Sequence, residues 1–174
     1  VWNSLTLWWI WNATLAGAVF AIIVNSFLMS IVWGLAHIVG RIKGKKFGHL
    51  FLFFAWISFE YLHYKWDMSF PWLTLGNGLA NNVEIIQWFE YTGVFGGTAW
   101  ILIVNLLVWE LIQRIGKSPR NEIRLQFIIV LIVVFLPVII LLIRYNTYRE
   151  KIDPVNIVIA QPNIDPYNDK FSGM

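Results

Sequence analysis

Cysteine is absent from these 174 residues, and only 13% of them are charged. Without cysteine there is no disulfide, no thiolate nucleophile and no Cys-ligated metal within the chain. A soluble domain carries about 25% charged residues, and its apolar share is roughly 45–50%. Here 58% of the residues are hydrophobic and the mean hydropathy is +0.62. That composition excludes disorder, a collagen-like repeat and an ordinary water-soluble globule. So much apolar surface needs lipid as its second solvent. The chain is expected to be a membrane protein.

What is present is long apolar runs. Residues 14–39 contain no Asp, Glu, Lys or Arg. As a helix they would reach about 39 Å, enough to cross a hydrocarbon core of about 30 Å with tilt. Further spans are expected at 47–63, 92–112 and 125–143, which makes an all-α polytopic bundle of about four complete spans. Pro137 falls inside the last and should kink it, as a packed bundle tolerates. Asn25 and Asn105 are expected to hydrogen-bond between helices.

Basic residues set an expected orientation. Arg41, Lys43, Lys45 and Lys46 separate the first two runs, and Arg114, Lys117, Arg120 and Arg124 separate the last two. The 64–91 connection has Lys65 alone. Short Lys/Arg-rich loops stay cytoplasmic, so 41–46 and 114–124 face inward, while 64–91 and everything after Arg144 face outward. These charges read as solvated loops, not as a nucleic-acid surface. Trp2, Trp8, Trp9, Trp11, Trp66, Trp72 and Trp88 fall where headgroups would meet them. Asn12-Ala13-Thr14 matches a glycosylation sequon, a weak signal as a lone tripeptide.

Several polar residues stand out against this background. Glu60 lies near the end of the second run with His63 one helical turn later. A carboxylate there is costly unless it meets a partner or water. It reads either as part of a polar cluster where the bundle opens outward or as a snorkelling interfacial group. A third possibility is that it braces the following loop through backbone N–H groups. Phe70-Pro71-Trp72, then Gly76, Asn77 and Gly78, read as a punctuated loop. Residues 84–90 alternate Glu84, Gln87 and Glu90 with Ile85, Ile86, Trp88 and Phe89, as in a short amphipathic surface helix. Glu90 and Tyr91 precede Gly93, Gly96 and Gly97, which favour close backbone packing. No nucleophilic triad or metal motif joins His37, His49 and His63, and no cofactor is expected.

Beyond Arg144 the chain turns polar, and Val155 to Gln161 is a β-branched run closed by Pro162 and Asn163. It reads as one strand of a sheet whose other strands would have to lie beyond this chain. Val1 in place of Met and the abrupt ending at Met174 suggest a piece of a longer protein.

Taken in order, these residues resemble a known family. Phe59-Glu60-Tyr61-Leu62-His63, Phe70-Pro71-Trp72-Leu73 with Gly76, and Glu90-Tyr91-Thr92-Gly93-Val94 with Gly96 and Asn105 look like the membrane half of bacterial apolipoprotein N-acyltransferases. Val155 to Tyr167 is similar to the first strand and loop of that family's nitrilase-like domain. The resemblance implies a transmembrane helical domain over 1–150 and the truncated start of an α/β nitrilase-like domain over 155–174. It implies an enzyme of the bacterial inner membrane, multi-pass, with its C-terminal part in the periplasm. Its partners would be membrane lipid, a phospholipid acyl donor and a diacylglyceryl-modified lipoprotein acceptor. The family's catalytic Glu, Lys and Cys lie in the nitrilase-like domain, downstream of Met174, so this chain alone is expected to be inactive. Candidate substrate- or lipid-facing positions are Glu60, His63, Phe70, Pro71, Trp72, Trp88, Glu90, Tyr91, Gln161, Asn163 and Phe171. His63 and Phe171 depart from the family's usual arginine and tryptophan. A transporter- or channel-like bundle, or a membrane anchor for another periplasmic domain, remains open at this point.

Overall fold

The computed structural model describes residues 1–149 and 157–161, and those residues are helical or irregular, with no strand among them. A short helix α1 (Trp2–Thr6) and a 3-10 turn (Trp8–Asn12) lead into α2 (Leu15–Lys43). Thr14 caps α2, its hydroxyl accepting from the Gly17 N–H at 3.5 Å, so the threonine of the sequon has a local structural task. Gly44, at φ +99°, turns the chain directly into α3 (Lys45–Leu62). Three 3-10 turns follow, at Pro71–Leu73, Leu75–Leu79 and Val83–Ile85. Then come α4 (Phe89–Thr92), α5 (Val94–Arg114) and α6 (Arg120–Thr147).

Three helices, α2, α5 and α6, are long and apolar enough to cross a membrane. The run expected at 47–63 forms α3, whose 18 residues include Lys45, Lys46 and Glu60 and do not reach that standard. The other helices overrun the apolar stretches, α2 reaching Lys43 and α6 starting at Arg120, because helical hydrogen bonding continues into their polar ends. The expected amphipathic helix at 84–90 is instead a 3-10 turn, a break and the first turn of α4. A segment of two turns has too little helical stability to resist its surroundings. There the Trp88 ring packs against Trp100 of α5, centroids 5.3 Å apart.

Along α3 the buried residues are Gly48, Leu52, Trp56 and Glu60, one every fourth position. This stripe faces Val32 and Ala36 of α2 and Leu102 of α5, which together form the core. The outward stripe of α2, including Phe20, Ile23 and Phe27, is exposed along its length, as a lipid-facing surface should be. Pro137 lacks the N–H that would bond the Val133 carbonyl. The Trp100 indole takes that place, donating to Val133 O at 2.8 Å. The two asparagines behave differently from expectation: Asn25 and Asn105 donate to Ala21 O and Ile101 O of their own helices. A short amide satisfies itself locally when an i−4 carbonyl lies within reach.

His49, near the start of α3, stands 3.6 Å from Glu110, near the end of α5. The two basic loops therefore share one end of the bundle. At the other end Trp9 meets Trp72 edge-on at 6.1 Å, and Arg144 pairs with Glu90. Of the expected strand, Val155 and Asn156 lie outside the described residues, and 157–161 have no regular structure. An isolated β-run has no ladder to join, so its regular form depends on partner strands. Asn163 and Phe171 also lie outside the described residues.

Candidate functional site

Glu60 is only 3% exposed, which removes the snorkelling reading. Its Oε1 accepts from the Trp56 indole N–H one turn back, at 2.9 Å, and from the Leu75 backbone N–H at 2.8 Å. Its Oε2 accepts from the Thr98 hydroxyl at 2.6 Å. That hydroxyl in turn accepts from the Gly76 N–H at 3.0 Å. One carboxylate thus joins α3, the 71–79 loop and α5. Charge-assisted bonds of this kind are shorter and about twice as strong as neutral ones.

The loop reaches these donors because of glycine. A Cβ on Gly76 would stand 2.1 Å from the Val94 carbonyl oxygen, and one on Gly97 would stand 3.1 Å from the Gly76 Cα. Loop backbone and helix backbone lie in contact, a spacing no larger residue allows. The expectation of close packing around Gly93–Gly97 thus holds at Gly97, with a loop as the partner.

The remaining candidates fall into two groups. In the first, His63 caps α3, its carbonyl accepting from the Phe70 N–H at 3.2 Å. Its buried ring sits edge-on to Phe59 and Trp66, at 4.5 and 5.1 Å between centroids. Phe70 packs on Trp72 at 5.0 Å, and the Pro71 carbonyl accepts from the Thr74 hydroxyl (2.8 Å) and the Asn77 amide (3.0 Å). A small cavity of about 10 Å³ lies among Asn25, Glu60, His63, Phe70 and Thr74. The second group, Trp88, Glu90 and Tyr91, belongs to the α4 corner. There the Arg144 guanidinium pairs with Glu90 and lies 4.9 Å from the Tyr91 ring centroid. Gln161 is exposed.

Beside the first group runs an open groove of about 310 Å³, bordered by Trp2, Trp9, Trp72, Leu75 and Asn77 among others. Its wall is the loop that Glu60 and Thr98 fasten. Two polar residues in this region gave little sign of their importance. Thr98, fully buried, is a small residue within a glycine-rich helix start, and its partners come from other segments. Asn3, also buried, donates to the Ser26 hydroxyl at 2.8 Å and so ties α1 to α2.

Comparison with known proteins adds a separate observation. Residues 1–107 match the sequence profile described as the apolipoprotein N-acyltransferase N-terminal domain. The apolipoprotein N-acyltransferase of Chlorobaculum tepidum is 27% identical over 173 residues, which is 98% of this chain and 32% of that protein. That of Geobacter metallireducens is 24% identical over 110 residues, 63% of this chain and 21% of that protein. The chain spans about a third of the length of the first of these curated relatives, and its match covers less of the second. No solved structure matches it.

Proposed function

The chain belongs to the apolipoprotein N-acyltransferase family through its N-terminal domain, and from that premise we propose that it forms the membrane part of such an enzyme. The reaction would move an acyl chain from a phospholipid to a cysteine thiol, and then to the α-amino group of a lipoprotein's N-terminal diacylglyceryl-cysteine. The thiolate would attack the donor's ester carbonyl, releasing lysophospholipid and leaving a thioester. The α-amine would then attack that thioester, forming the amide and freeing the thiol, with a carboxylate as base and a lysine steadying the oxyanion. The thiol is not among these residues, which contain no cysteine. It would come from the nitrilase-like domain expected to begin near Val155.

The observation that carries this reading is the aromatic groove beside the braced loop. An acyl chain would lie along the open indole surfaces of Trp2, Trp9 and Trp72, and the groove's loop edge sits at the end of the bundle from which α6 leads towards the residues after Arg144. In this reading Trp72 touches lipid, while Glu60 is a positioning residue that holds the loop. A transporter would need charged or broken spans facing each other; here Glu60 is bonded inside the packing, and the carbonyl that Pro137 leaves free is held by Trp100.

The membrane in question is taken to be the bacterial inner membrane, with the 41–46 and 114–124 loops in the cytoplasm and the 64–91 connection in the periplasm. Single cysteines at Lys45 and Asn77 should then react with an impermeant thiol reagent from opposite sides, Asn77 from the periplasm. Labelling of both from one side would refute the orientation.

The reaction is tested in the intact protein by following acyl-enzyme formation and amine transfer separately. Trp72→Ala should slow acyl-enzyme formation about tenfold at normal abundance, by loosening the placement of the donor ester. Glu60→Gln should slow the same step and be accompanied by a lower melting temperature. Unchanged rates of both steps in both variants would refute the role of this groove.

A further inference from the structure

The opposite end of the bundle contains a second opening that acyl transfer does not use. Between α2 and α3 lies a cleft of about 310 Å³. Buried Ala36 and Leu52 and the exposed Trp33 form its apolar side, while His37, Arg41, Lys45 and His49 form its basic and polar side. The cleft exists because the two helices meet at glycines. A Cβ on Gly48 would come within 2.8 Å of the Gly40 Cα, so the backbones touch there and neither residue supplies a side chain to fill the flank. Among the described residues neither Arg41 nor Lys45 pairs with a carboxylate, and Glu110 stands against His49.

We propose that this cleft is a binding site for one anionic phospholipid, its phosphodiester between Arg41 and Lys45 and its acyl chain along Trp33 and Leu52. Both halves of the cleft argue for a lipid. A free anion would use the basic side and leave the apolar side idle, whereas a neutral lipid would leave two cations unmatched. A basic pocket between helices at headgroup level attracts an anionic headgroup, each Lys or Arg adding to the attraction. The bound lipid would join the ends of α2 and α3 across the Gly44 turn. The site lies at the far end from the groove of Trp9 and Trp72, so it is not the acyl donor's position, and the inference stands independently of the acyltransferase reading.

The test uses the intact protein, delipidated in a neutral detergent, with its melting temperature followed as phosphatidylglycerol is added. The result expected is a saturable rise that phosphatidylcholine and inorganic phosphate do not produce. In Arg41→Gln/Lys45→Gln the lipid needed for half the effect should increase about tenfold or more. Lys43→Gln/Lys46→Gln removes the same charge from the same loop at positions outside the cleft, and should leave the titration unchanged. Equal losses in the two double variants would mean a diffuse surface attraction and overturn the site. A rise of equal size with inorganic phosphate, an equal rise with phosphatidylcholine, or no rise with phosphatidylglycerol would overturn it as well.

Discussion

The two ends of this bundle solve the same problem, a break between apolar helices, in opposite ways. Where the 71–79 loop meets α5, backbone lies against backbone, and the buried Glu60 and Thr98 side chains bond its N–H groups. At the basic end the turns are short, and the described polar pairs, His49–Glu110 and Arg114–Glu122, are partly exposed. The first arrangement has one geometry and fails if any part is altered. The second rests on short turns, on the Gly40–Gly48 backbone contact and on positive charge, two of whose cations, Arg41 and Lys45, border the α2–α3 cleft. A loop that must hold a shape is built from internal bonds, while a loop that must only stay on one side of a membrane is built from charge.

This contrast is broken most severely at Gly76. Gly76→Val drives a side chain into the Val94 carbonyl, and overpacking of this kind costs about 3 kcal/mol. Thermal unfolding in detergent should show a large drop in melting temperature, and a near-normal value would mean that the loop is not packed on α5. Thr98→Val retains the shape but strips the hydroxyl, leaving the Gly76 N–H and one Glu60 oxygen without their partner. Its expected cost is about 2 kcal/mol. Limited proteolysis should also cut the 71–79 segment faster; unchanged cleavage would refute the brace. At the other end, Lys43→Gln/Lys46→Gln should leave the melting temperature in lipid-free detergent unaltered. A clear loss there would show that the basic loop, too, is held by specific bonds.

Much of the architecture was legible in the residues, because a charge-free apolar run of helical length has few alternatives. That explains α2 and α6, and the basic loops follow from charge alone. Boundaries were less legible, since the helix of α6 starts at Arg120 for backbone reasons while hydropathy marks its apolar portion from Leu125. The site divides in the same manner. Glu60 stands out as a lone carboxylate in an apolar stretch, but its donors do not: Leu75 offers only a backbone N–H, and Thr98 is an ordinary residue until the loop is folded beside it. Asn25 and Asn105 misled for the converse reason, being conspicuous in composition but satisfied within their own helices.

The Glu60 brace also imposes an order in time. A chain made from its N-terminus delivers Trp56 before Glu60, the Leu75 N–H 15 residues after it, and Thr98 38 residues after it. At about 5–20 residues per second, the carboxylate waits roughly two to eight seconds for its last donor. During that interval α2 and α3 can already stand as a hairpin on Gly44, with the following loop still unfastened. The arrival of α5 is therefore the event that sets the loop, and anything that delays the insertion of α5 prolongs the time this carboxylate spends without its full set of partners.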